Sequence, residues 1–123
     1  MPQPLALVFY ERLMPGSQLV NRLQDLNYRV LAVNNVALLA ATAKREKPLL
    51  LLADLTTPGD VCGTIAKIKT DADTSHLPII AFAPESEIAL IEAARQAGAD
   101  FTVAETGLVN HLPQMIDRAL QVD

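Results

Sequence analysis

The sequence predicts an α/β fold: a three-layer α/β/α sandwich around a five-stranded parallel sheet. Three observations predict it. Five short apolar runs alternate strictly with five stretches of helical period. The apolar runs are nearly continuous, as in strands covered on both faces. Cap and stop residues fall at most of the junctions between them.

Leu5–Tyr10 is the first apolar run and reads as a strand. Pro15 then opens a helix at a tolerated first-turn position, with Leu19, Val20, Leu23 and Leu26 on one face. Asn27 is suited to a left-handed stop. Tyr28–Val33 reads as the second strand. Asn34 or Asn35 caps a helix with Val36, Leu39, Ala40 and Ala43 inward, and Pro48 ends it after the basic run 44–47. Leu49–Ala53 is the clearest buried strand and ends at Asp54. The stretch 56–59 is loop, and Asp60 caps a helix carrying Val61, Ile65 and Ile68. After a polar connector, 71–76, Pro78–Ala83 reads as the fourth strand. Ser86 is the expected cap of a helix through Ala97, with Ile88, Ile91 and Ala94 inward and Gly98 as its stop. Phe101–Ala104 is a short fifth strand. Pro113 lacks an N–H, which places the start of the last helix at an Asn110 cap, with Ile116, Ala119 and Leu120 inward. There is no repeat or linker, so 1–123 reads as one domain.

Composition narrows the function. Half of the residues are hydrophobic and 20% charged, which excludes a disordered chain. A net charge of −4 with scattered Lys and Arg argues against direct nucleic-acid binding. No run approaches the length of a membrane span, and no signal-peptide layout is present. A single cysteine, Cys62, cannot form an intrachain disulfide, which fits a reducing, cytoplasmic setting. His76 and His111 stand apart without metal-ligand spacing. No glycine-rich phosphate loop and no GxSxG element occurs.

Parallel sheets of this kind form their sites beyond the carboxyl ends of the strands. There, Lys47-Pro48 through Asp54 to Pro58-Gly59, with Leu77-Pro78-Ile79-Ile80-Ala81 and Ala97-Gly98-Ala99-Asp100, resembles the receiver domain of bacterial response regulators. The resemblance covers nearly the whole chain. It implies a flavodoxin-like strand order 2-1-3-4-5 and places Asp54 at the phospho-acceptor position.

The rest of the family's chemistry is not matched. An acidic pair after strand one would help hold magnesium, and here stand Phe9 and Tyr10, with Glu11 one position off. The hydroxyl at the end of strand four is replaced by Ala83. The lysine and proline after strand five are Glu105 and Thr106, and Thr102 takes the place of the aromatic switch residue. Thr56 lies in the loop after the acceptor. A glutamate beside Asp54 would repel it by on the order of 4 kcal/mol at about 4 Å, an upper bound if water screens the pair.

The leading reading is therefore a pseudo-receiver: a phosphorylation-independent signalling and protein-interaction module, not an enzyme, with no cofactor and Asp54 silent. The aromatics are expected to fill the former metal site with apolar bulk. The resemblance directs attention to the face of helix four, strand five and helix five: Glu87, Leu90, Ile91, Arg95, Asp100, Thr102 and Arg118. The partner would be a histidine kinase, another signalling domain or a second copy. One alternative is an atypical receiver phosphorylated on Asp54 by a histidine kinase with magnesium. Another is a small enzyme or nucleotide binder on the same scaffold.

Overall fold

The computed structural model describes residues 3–120. Its elements run β1 (Leu5–Phe9), α1 (Leu13–Asp25), β2 (Arg29–Val33), α2 (Val36–Glu46), β3 (Leu50–Asp54), α3 (Val61–Thr70), β4 (Ile79–Ala83), α4 (Ile88–Ala97), β5 (Phe101–Ala104) and α5 (Leu108–Ala119). The strands form one parallel sheet in the order β2-β1-β3-β4-β5, as the resemblance implies.

Period-two alternation along the strands divides the core into two layers. Leu7, Phe9, Leu51, Ala53, Ile79 and Ala81 face α2, α3 and α4. Ala6, Val8, Leu50, Leu52, Ile80 and Phe82 face α1 and α5. Strands β1, β3 and β4 are buried along their whole length, which explains their unbroken apolar runs.

Most of the expected punctuation is present. Asn27 adopts φ 70° after α1, and Gly98 closes α4 at φ 105°. Asn35 caps α2 by accepting from Ala37 N at 2.9 Å, and Asp60 caps α3 by accepting from Gly63 N at 2.9 Å. Met14 is extended, at φ −116° and ψ 120°, as the residue before a proline should be, so regular helix begins at Pro15.

Three expectations fail, at the starts of two helices. Helix α5 begins at Leu108 behind Gly107, which sits at φ 78°, and not behind Asn110. Pro113 therefore lies inside the helix. Leu108 and Leu112, one turn apart, are both buried against the α1 side of the sheet, and that burial outweighs one lost backbone hydrogen bond. Helix α4 begins at Ile88 with Glu87 at its cap position and no side-chain cap bond, so Ser86 does not cap it. Pro84 instead starts a turn, its carbonyl accepting from Glu87 N at 2.9 Å. That turn leaves Ile88 73% exposed; Ala94 is the α4 residue that is fully buried, and Ile91 packs half-buried on the core.

Candidate functional site

Asp54 ends β3 with its side chain 0% exposed. It lies two residues beyond Leu52 and so points to the α1–α5 side of the sheet. Oδ1 accepts from Thr56 N at 2.9 Å and from Thr56 Oγ1 at 2.7 Å. Oδ2 accepts from Arg12 Nε at 2.9 Å, with Arg12 Nη2 also 2.9 Å away. The same Nη2 donates to Glu105 Oε1 at 2.7 Å. One guanidinium thus joins the loop after β1 to the end of β3 and the loop after β5.

Arg12 joins the candidate site although the sequence pattern did not single it out. Its backbone is extended, at φ −71° and ψ 129°, which lets a long side chain reach back over the sheet edge. Burial works against its charge. The hydrogen bond to Glu105 and the attraction of Asp54 more than offset that, and the guanidinium pKa is raised. Glu105, expected to repel Asp54, shares a cation with it instead. Against the pattern that the resemblance implies, Phe9 and Tyr10 stand where an acidic pair is expected, with Arg12 two residues on, and Glu105 stands where a lysine is expected.

The remaining site positions are only partly brought together. Phe9 is buried on the opposite, α2–α4 side of the sheet, so its ring does not fill the space beside Asp54. Tyr10 packs on the α1 side with its ring against Gly16, where a Cβ would clash with it. The group that meets Asp54 is charged, which corrects the expectation of apolar bulk. Glu11 is exposed and lines a separate cleft. Ala83 is fully buried, its carbonyl accepting from Glu105 N at 2.9 Å. Thr106 is exposed. The buried Thr57 hydroxyl next to the loop has no hydrogen-bond partner among the described residues.

On the face of α4, β5 and α5, most side chains have intramolecular partners. Asp100 Oδ2 accepts from Ile79 N at 2.8 Å and from Lys69 Nζ at 3.0 Å. Arg95 pairs with Glu92, and the Arg118 guanidinium lies 5.8 Å from the centre of the Phe101 ring. Leu90 and Ile91 pack half-buried on the core. Glu87 is exposed, and Thr102 is half-buried in β5.

The backbone matches known structures closely. A response-regulator candidate from Chloroflexus aurantiacus superposes with a TM-score of 0.87 at 19% identity, over 96% of this chain and 98% of that one. The receiver domain of the sensor histidine kinase PA1611 from Pseudomonas aeruginosa gives 0.86 at 21% identity, over 96% and 98%. The chemotaxis response regulator CheY4 of Vibrio cholerae gives 0.83 at 15% identity, over 96% and 99%. The fold is that of receiver domains. No family model matches the chain, and no curated protein matches it in sequence.

The PA1611 receiver holds a magnesium ion in its active-site cleft. The residues of this chain do not fit such an ion. The end of β1 offers two aromatic side chains, and both oxygens of Asp54 are taken by Arg12 and Thr56. No group of three or more His, Cys, Asp or Glu side chains able to hold a metal occurs among the described residues. No helix among them is long and apolar enough to cross a membrane.

Proposed function

We propose that this chain is a pseudo-receiver: a signalling module that acts through protein contacts independently of phosphorylation, in the cytoplasm and without a cofactor. The Arg12 clamp on Asp54 carries this reading. Attack on a phosphoryl group needs a free carboxylate oxygen and a cation that neutralises the incoming oxygens. Here the cation is covalently part of the chain and already paired with two carboxylates. The charge-swapped Glu105 would face the phosphoryl oxygens with like charge. The partner is a protein, such as a histidine kinase or another signalling domain. On the face of α4, β5 and α5, Glu87 and Thr102 make no side-chain polar contact among the described residues, and a contact with such a partner would fall there.

Incubation with a small phosphodonor and magnesium, followed by intact-mass measurement, tests the proposal. The expected result is an unchanged mass. An added mass of roughly 80 Da, one phosphoryl group, that disappears in Asp54→Ala would overturn it and support an atypical receiver instead.

A further inference from the structure

The same arginine shapes a second feature. Arg12 turns inward to Asp54 from extended backbone, so the next side chain, Leu13, turns outward and is 72% exposed. Met14 beside it is 59% exposed, and Leu38 in the first turn of α2 is 56% exposed. Isolated exposed leucines are ordinary, but these are not isolated. Leu13 and Leu38 both line a cleft of about 380 Å³, together with Tyr10, Thr42 of α2 and Val33 at the end of the outermost strand β2. Pockets that take apolar groups are typically about 300–1,000 Å³. Glu11 is the charged residue of the cleft lining and has no ion-pair partner among the described residues.

Charge selects the occupant. The carboxyl ends of the strands and the loops after them carry six carboxylates, on Glu11, Asp54, Asp60, Glu85, Glu87 and Glu105, and one cation, Arg12. An anionic membrane or nucleic acid is repelled from that end. A second copy docking about a twofold axis would bring carboxylates against carboxylates. We infer that the Leu13–Leu38 cleft docks a segment of a partner protein that places an apolar side chain in the cleft and Lys or Arg beside Glu11. The inference rests on the interaction-module reading and adds a second contact surface, at the β2 edge of the sheet and away from the face of α4, β5 and α5.

The test is fluorescence anisotropy with two labelled peptides, one alternating Leu with Arg and one alternating Leu with Glu. The full chain is expected to bind the Leu/Arg peptide and not the Leu/Glu peptide. Leu13→Ala with Leu38→Ala should weaken binding about tenfold, and Glu11→Gln about threefold. Glu85→Gln makes the same change in net charge on another loop and should shift affinity less than about twofold. Equal effects of Glu11→Gln and Glu85→Gln would reduce the binding to nonspecific attraction and overturn the proposal. So would the absence of peptide binding, or a dimer in sedimentation that the leucine substitutions dissolve. A phosphoryl adduct on Asp54 would remove the pseudo-receiver reading yet leave this cleft standing, so the two failures are distinguishable.

Discussion

Strand β5 is tied to its neighbours by a cation at each end, and the two ties sit in different surroundings. At its start, Lys69 Nζ donates to the Leu77 carbonyl at 2.9 Å and to Asp100 Oδ2 at 3.0 Å. At its far end, Arg12 spans Asp54 and Glu105. The Asp100 side chain is 39% exposed, so water can replace part of what Lys69 supplies. The Asp54 side chain is 0% exposed, and only protein donors reach it among the described residues. A third pair, Arg95 with Glu92 on α4, is more than half exposed on both sides. Similar charges thus appear in three degrees of burial. The difference lies less in what each pair gains than in what is stranded when one partner is removed.

Removing Arg12 should therefore be the most damaging of these changes. Arg12→Ala leaves a buried carboxylate facing a second one, and should destabilise the fold by about 3 kcal/mol in urea denaturation. Adding Asp54→Asn removes the stranded charge, and the double variant should recover at least half of the loss. A cost below about 1 kcal/mol would mean that water satisfies Asp54, and the contrast between the two ends of β5 would disappear.

At the other end, Asp100→Ala takes the acceptor from Ile79 N, a backbone donor of a fully buried residue. Its expected cost is about 1.5 kcal/mol, with Lys69→Ala smaller because its partner is partly hydrated. If Asp100→Ala proved as costly as Arg12→Ala in the same denaturation series, burial of the stranded charge would not be what ranks the two ties.

The same distinction explains what the sequence made legible. Alternation and capping follow from backbone chemistry, so the element order, the Asp60 cap, an Asn34 or Asn35 cap and the two left-handed stops could be read directly. Ile88 and Leu108 could not, because their burial depends on how a turn aims a helix, which hydrophobicity alone does not specify. Comparison with the receiver pattern marks Phe9, Tyr10, Ala83 and Glu105 as unmatched positions, but it does not point to Arg12. Arg12 lies beyond the strand end, outside the positions that the resemblance compares. A physical signal was nonetheless present. A glutamate beside a buried aspartate demands a cation, and Arg12 is the single basic residue in any loop that follows a strand.

The most exposed pair gives the smallest effect and the cleanest control. The Glu92 carboxyl is held at about 2 instead of 4.5, chiefly by the hydrogen bond from Arg95 and then by that from Gln96. A folded-state pKa below the ordinary value means that the pair favours the folded state above about pH 4.5 and loses that benefit as pH falls through about 2. Following the Glu92 side chain by NMR should give a midpoint below 4.5 in the parent chain, held short of the full shift by water around this exposed pair, and moving up toward 4.5 in Arg95→Ala. Denaturation at neutral pH should barely separate the two proteins, because water takes over for both exposed partners. Were Arg95→Ala instead to match Asp100→Ala in cost, exposure would fail as the ordering variable. The special status of the Arg12 clamp would then have to rest on its geometry across two loops and a strand end and not on the burial of Asp54.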